Sequence, residues 1–142
     1  IDRHDAWLNE FVNADKYVFI NPMYNHFLPA ELKQYLDLTA VAHKTFKYTP
    51  QGAVGLLKGK KAIQIQAAGG NYHPNGQPEK TLAIKGNSLP DVGAFYLDGM
   101  MGFYGVTDVQ HIFIDGAAQN PDQRQAILDQ ALDQAKEAAR IF

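Results

Sequence analysis

The chain has 142 residues, 46% of them hydrophobic and 20% charged, with a formal net charge of −2. That length suits a single domain, and the charge balance excludes the basic surface on which nucleic-acid binding depends. With no cysteine there is no disulfide framework, thiolate nucleophile or cysteine-ligated metal, and no apolar run approaches the roughly 20 residues of a membrane span.

No secretory signal is visible, and the lack of cysteine fits a cytoplasmic protein. The chain opens Ile1-Asp2-Arg3, without an initiator Met, and at once enters what reads as the middle of a helix. That start reads as a piece of a longer protein. Ala6, Trp7, Phe11 and Val12 recur at helical spacing, which predicts a helix over about residues 3–14. The run Tyr17–Ile20 is continuously apolar, as expected of a parallel strand covered on both faces. Asn21-Pro22-Met23-Tyr24-Asn25-His26-Phe27 then forms a polar, aromatic loop. Pro29 and Glu31 mark the start of a second helix, with Leu32, Tyr35 and Leu36 on its buried stripe and its end near Ala42.

Phe46–Gly52 reads as a short extended excursion with a turn. Ala62–Ala67 is a second strand, of imperfect alternation, ended by Ala68-Gly69-Gly70. A long polar loop runs from Asn71 to about Ser88. Leu89-Pro90-Asp91 opens a third helix, which Gly102–Gly105 closes. Val109–Ile114 is a third strand. Asn120 is expected to cap a last helix with Pro121 at its first position. Strands alternating with helices imply a parallel sheet with right-handed crossovers and helices on both faces.

Several chemistries find no support. Ser88 is the only serine and lacks a nucleophile elbow around it. His4, His26, His43, His73 and His111 are scattered, with no pair at helical metal-site spacing, so no metal is expected. Gly55–Lys60 is one residue short of a phosphate loop and precedes a strand, so it reads as a basic turn. What remains is two loops at strand ends, Pro22–Phe27 and Ala67–Gly70, which a parallel sheet places side by side where ligands bind. Pro22 stiffens the first loop, Tyr24 and Phe27 offer apolar faces, and Asn25 offers an amide, a set suited to a flat heterocycle. The glycines of the second allow a ligand to approach the backbone. A plain strand-to-helix connection and a plain turn are the competing readings of these two segments.

An ordered series of motifs runs through the chain. It comprises Pro22-Met23-Tyr24-Asn25, Leu32–Asp37, Thr45–Thr49, Gly52, Gly55-Leu56-Leu57, Gly59–Ala62, Gly69-Gly70, Gly102–Asp108 and Asp115-Gly116. The series resembles the FMN-dependent NADH-azoreductase family, flavodoxin-like NAD(P)H:quinone reductases. The resemblance implies a flavodoxin-like three-layer α/β/α parallel sheet over a single domain, 1–142, cut to about three strands with flanking helices. It also implies non-covalent FMN, a homodimer with its sites at the interface, and ping-pong hydride transfer from NAD(P)H through FMN to quinones or azo compounds. On the same basis Pro22, Met23, Tyr24, Asn25 and His26 would border the flavin ring, and Ala67, Ala68, Gly69 and Gly70 its other edge. Phe46, Tyr48 and Tyr72 would line the substrate side, the first two from an aromatic hairpin that helps cover the site. No catalytic side chain is required by this chemistry. Tyr48 and His26, with Tyr24 and His73, are unranked proton-donor candidates.

The chain departs from the family at His26, at Ala67-Ala68, in a longer Tyr72–Ser88 loop, and above all at its start. The family's N-terminal third, with two strands, a helix and the serine loop that grips the FMN phosphate, has no counterpart here. That would leave Tyr17–Ile20 at an unpaired edge. A flavodoxin-like electron carrier, disfavoured by a charge of only −2, and a non-catalytic flavin-binding or interaction domain are the alternatives.

Overall fold

A computed structural model describes residues 3–142. In chain order the elements are α1 (Arg3–Asn13), β1 (Lys16–Pro22), α2 (Ala30–Thr39), β2 (Phe46–Thr49), β3 (Gly52–Gly55), β4 (Lys61–Ala68), α3 (Val92–Tyr104), β5 (Asp108–Asp115) and α4 (Arg124–Ile141). Strands β1, β4 and β5 form one parallel sheet in the order β1-β4-β5, as the alternation of elements predicts. Val18 pairs with Ile63 and Ile63 with Gln110, so odd and even positions sort cleanly onto two faces. Among the described residues no helix is long and apolar enough to cross a membrane.

The larger core lies on the face of Tyr17, Phe19 and Ala62, under α1, α2 and α3. Leu36, Leu97, Met101 and Tyr104 are fully buried there, each worth about 1.5–3 kcal/mol of apolar transfer. The Tyr104 hydroxyl donates to Leu36 O at 2.8 Å, tying the end of α3 to α2. Burial pushes its ionisation up to about 12, so it stays a neutral donor. The opposite face carries a smaller core of Ile63 and Ile112 beneath Ala131 and Ala138 of α4.

Strand β1 departs from the expectation of cover on both faces. Tyr17, Phe19 and Asn21 are buried, but Val18 and Ile20 are 55% and 74% exposed. Helix α4 packs over β4 and β5 and leaves the β1 end of its face open. The outer edge of β1 borders a groove of about 420 Å³ lined by Phe11, Tyr17, Phe19, Leu32 and Tyr35.

Element ends follow local chemistry, with three shifts from expectation. Pro29 sits at the cap position of α2 in extended conformation, just before the first turn, and the helix stops at Thr39. Helix α3 continues through Gly102 and ends at Gly105, whose φ of 94° makes the left-handed stop. Asn120 caps no helix with its side chain; its amide donates to Gly116 O, and a 3-10 turn, Pro121–Gln123, precedes α4. The basic turn before β4 has a structural task. Lys60 Nζ donates to Val12 O and Ala14 O, placing a cation on the C-terminal end of α1.

Candidate functional site

The carboxyl ends of β1 and β4 lie side by side. Pro22 pairs with Ala67, and Met23 N donates to Ala67 O at 2.8 Å. Beyond this point Tyr24 and Phe27 exchange two backbone hydrogen bonds of 2.9 Å, closing a tight loop. Asn25 and His26 at its tip both have positive φ, 51° and 64°. Asn and His enter that left-handed region more often than other non-glycine residues. His26 is held from two sides: its carbonyl accepts from Val92 N at 2.9 Å, and its ring meets Tyr72 edge-on at 5.5 Å. Its Nδ1 is buried with no protein partner. Tyr24 is 57% exposed and presents its ring to the outside.

The second loop is anchored from β5. Gly116 N donates to Ala68 O and Gly70 O at 3.2 and 3.0 Å, and Gln119 N donates to Gly69 O at 3.2 Å. The carbonyls of this turn are therefore satisfied, while the Gly69 and Gly70 N–H groups find no acceptor among the described residues. A cavity of about 420 Å³ opens beside it, bounded by Pro22, Met23, Ala67, Gly69 and Leu128. Gly69 lines this cavity, which Arg124 also borders, and Gly70 lines a neighbouring one of about 320 Å³ with Tyr72 and Gln119. Free backbone donors at such openings form a place for a ligand with a flat, acceptor-rich edge.

Pro22, Met23, Tyr24, Asn25, His26, Ala67, Ala68, Gly69, Gly70 and Tyr72 thus belong to one region at the carboxyl end of the sheet. Phe46 and Tyr48 do not. They lie on the β2–β3 hairpin, where Phe46 packs on Phe103 with ring centroids 4.4 Å apart. Gly55 abuts Gly105 and Leu57 N donates to Tyr104 O at 2.8 Å, so the hairpin is fixed to the C-terminal end of α3. The N-terminal end of α3 is the one near the loops, through Asp91 and Val92. The 13 residues of α3 span about 20 Å, which separates the hairpin from its own chain's loops. Tyr48, 73% exposed, points its hydroxyl at no described neighbour.

Behind the loops lies a buried polar network that the sequence reading does not foresee. Asn21 Nδ2 donates to Gln66 Oε1 at 3.1 Å, and Gln64 Nε2 donates to Asn21 Oδ1 at 3.0 Å. Gln66 Nε2 reaches Asp91 Oδ2, while Asp91 Oδ1 caps α3 by accepting from Ala94 N at 3.0 Å. His73 Nδ1 lies 2.9 Å from Asp115 Oδ2, and its Nε2 lies 3.1 Å from Asp91 Oδ2. The second is an ionic contact, not an aligned hydrogen bond. Burial lowers the His73 pKa, but hydrogen bonding and charge from Asp115 and Asp91 outweigh it and push the value up to about 9. Burial likewise raises the Asp91 carboxyl, and its bonds to His73, Ala94 and Gln66 bring it below the usual carboxylate range. The signal for part of this network is in β4. Gln64 and Gln66 alternate with isoleucine in a strand that is central, so the polar face has no solvent and needs partners.

Fold and strand-end loops together define a flavodoxin-like protein. A family model described as a flavodoxin-like fold matches residues 2–139, and the chain belongs to that family. Among its relatives is FMN-dependent NADH:quinone oxidoreductase 2 of Lactiplantibacillus plantarum, 54% identical over 142 residues, covering all of this chain and 64% of that protein. FMN-dependent NADH:quinone oxidoreductase 2 of Bacillus subtilis is 44% identical, over 94% of this chain and 59% of that protein. Among solved structures, an azoreductase from Bacillus anthracis str. Sterne superposes with a TM-score of 0.84 at 37% identity, over 98% of this chain and 62% of that one. An FMN-dependent NADH-azoreductase from Bacillus anthracis str. Ames Ancestor, solved in complex with FMN, gives 0.84 at 33% identity, over 97% and 60%. The chain spans about 60% of the length of the curated relatives it matches.

Proposed function

We propose that the protein is an FMN-dependent oxidoreductase that uses NAD(P)H to reduce quinones or azo compounds by two electrons, in a ping-pong sequence in the cytoplasm. The observation that carries this reading is the pairing of the two strand-end loops. Met23 hydrogen-bonds Ala67 while the Gly69 and Gly70 amides stay free, each at the edge of an open cavity. These residues fit the ring end of FMN. The two glycine N–H groups offer donors to the electron-rich edge of the ring without a titrating side chain. Pro22, Met23 and Tyr24 border its plane, and Asn25 and His26 close the end of the loop. FMN, when bound, supplies the hydride relay between nicotinamide and acceptor. The chain's part is to orient the ring, exclude water with apolar and aromatic groups, and admit planar substrates by stacking. Tyr24, at the rim, is the proton donor best placed within the chain; the Nδ1 of His26 is sealed inside, so His26 could serve only through its other ring nitrogen.

The position of Phe46 and Tyr48 adds a requirement. They can line a substrate only if the hairpin of a second copy reaches over the loops, so the working unit is proposed to be a homodimer that shares its sites. Tyr48 would then serve its partner's site and not its own.

NADH consumption with a naphthoquinone by the full-length protein, together with its flavin content, tests the reading. Turnover dependent on added FMN is expected, and a colourless, inactive protein after FMN reconstitution would overturn it. Gly70→Val tests the ring edge. A Cβ at Gly70 meets Tyr72 Cε2 at 3.1 Å and Gln119 Nε2 at 3.4 Å, so a branched side chain displaces Tyr72 and intrudes on the free amides. FMN affinity, followed by quenching of flavin fluorescence, is expected to fall about tenfold or more, at least 1.4 kcal/mol. Unchanged affinity would place the flavin elsewhere.

A further inference from the structure

His73 plays no part in the reading above, yet it is buried between two carboxylates and an aromatic ring. The side chains of His73 and Asp91 are each 1% exposed, and that of Asp115 is 10% exposed. The imidazole lies flat on Phe113, ring centroids 3.5 Å apart and planes within 10°. Asp115 Oδ2 accepts not only from the ring but from Tyr72 N at 2.9 Å and His73 N at 2.8 Å. Each contact bears on the candidate flavin edge. Asp115 fixes the turn from Gly70 to His73, and the next residue, Gly116, binds the carbonyls of Ala68 and Gly70. Asp91 starts α3, whose first residue, Val92, holds the His26 carbonyl.

We propose that His73 is a positioning residue, bridging Asp91 and Asp115 so that the Gly69–Tyr72 turn and the Asn25-His26 loop keep the shape that receives the flavin ring. The inference rests on the flavin reading of these loops. Two buried carboxylates converging on one ring repel each other unless a cation lies between them. A neutral imidazole donates through only one nitrogen, whereas here both nitrogens face carboxylate oxygens, the arrangement of the doubly protonated ring. The charged and titratable groups around it are Asp91 from α3, Asp115 from β5 and Tyr72 from the loop. His111 lies farther along β5, stacked on the same Phe113 and paired with Asp98 at 2.7 Å. Gln66 of β4 contacts Asp91 and carries no charge. The ring therefore loses its proton only at alkaline pH, and its bridge with it.

The test uses the full-length protein and its FMN dissociation constant, measured well below each variant's melting temperature. His73→Leu fills the space on Phe113 but joins nothing. It is expected to weaken FMN binding about tenfold at neutral pH, with His73→Gln, able to donate to one carboxylate, lying between. Wild-type affinity is expected to decline as pH rises through about 9, and the His73→Leu affinity to stay flat over that range. A His73→Leu protein with a lowered melting temperature and wild-type FMN affinity would show a merely structural residue and overturn the proposal. Should that variant not fold, the wild-type profile decides, since constant affinity from neutral pH to above 9 overturns it equally. Failure of the wild type to bind FMN at any pH strikes the functional reading instead, so the two failures stay distinct.

Discussion

Gly55→Ala is expected to detach the β2–β3 hairpin from the body of the protein. A Cβ on Gly55 would lie 2.1 Å from Gly105 N, 2.2 Å from Tyr104 C and 2.5 Å from Gly105 Cα. These are backbone atoms, so no side-chain rotation relieves the clash. Nor can the opposing segment retreat. Gly105 is the left-handed stop of α3, its N–H bonded back to Gly102 O at 3.0 Å. Leu57 N also clamps the neighbouring Tyr104 carbonyl at 2.8 Å. One methyl must therefore break either the hairpin's docking or the end of α3, at a cost of about 3–5 kcal/mol. Gly59→Ala makes the control. Its Cβ meets nothing within 4 Å, and only the φ of 79° opposes it, worth about 1 kcal/mol. Urea midpoints of the two variants separate the effects. If Gly55→Ala unfolds within about 0.5 kcal/mol of wild type, the close approach of hairpin and helix is wrong. In the proposed homodimer the same variant should also lose quinone turnover in the partner's site, since it moves Tyr48.

Asp91→Ala is expected to cost about 3–5 kcal/mol, because it removes one member of a buried charged pair and leaves His73 with a single carboxylate. Loss of the α3 cap, Ala94 N to Asp91 Oδ1, contributes about 1 kcal/mol of that total. Asp91→Asn is not the mild variant it resembles. Its amide NH2 would meet the Gln66 Nε2 donor, and Gln66 cannot turn over because its Oε1 already accepts from Asn21 and Gln64. Asparagine is thus expected to lose about 1–3 kcal/mol through an unsatisfied donor. The pair also carries a pH signature. The folded-state pKa of His73, about 9, lies above its ordinary 6.5. Its stabilisation is therefore complete below pH 6.5 and is lost as pH rises through about 9. The shift corresponds to about 3 kcal/mol. Asp91 works in the opposite sense: its pKa is depressed, so its contribution holds above the ordinary carboxylate range and is lost on acidification. Urea unfolding at pH 6.5 and at alkaline pH measures the alkaline loss. The slope should be reduced in Asp91→Ala but not abolished, since Asp115 still holds the ring; an identical slope in both proteins would show that Asp91 contributes nothing to the alkaline transition.

Sheet order, strand direction and the meeting of the two strand-end loops were legible because they follow from local signals. Apolar strand runs, helical periodicity and glycine-rich stops all agree on one topology. The exposure of Val18 and Ile20 was not legible, since an apolar run reads the same whether or not a helix covers it. The place of Phe46 and Tyr48 was hidden for a different reason. Their hairpin follows α2 and precedes β4, which fixes its connections but not the end of α3 on which it docks; the approach of Gly55 to Gly105 decides that. The Asp91–His73–Asp115 bridge joins residues 18 and 42 positions apart in sequence, inside and just beyond a loop with no periodic pattern. Asp91 read only as the start of a helix and Asp115 only as part of a motif series, so neither pointed to a buried partner. Only Gln64 and Gln66, polar on both counts in a central strand, signalled that something buried had to receive them.

The stacking on Phe113 makes the bridge visible to magnetic resonance. Phe113 lies nearly parallel to two imidazoles, with centroids 3.5 Å from His73 and 5.2 Å from His111. Protons held above an aromatic face are shielded by its ring current, and the effect falls steeply with distance. The carbon-bound protons of His73 are therefore expected to carry a large upfield ring-current displacement, with those of His111 displaced less. A single resolved imidazole signal then reports, in the intact protein, the protonation of one buried ring and the integrity of the turn it secures.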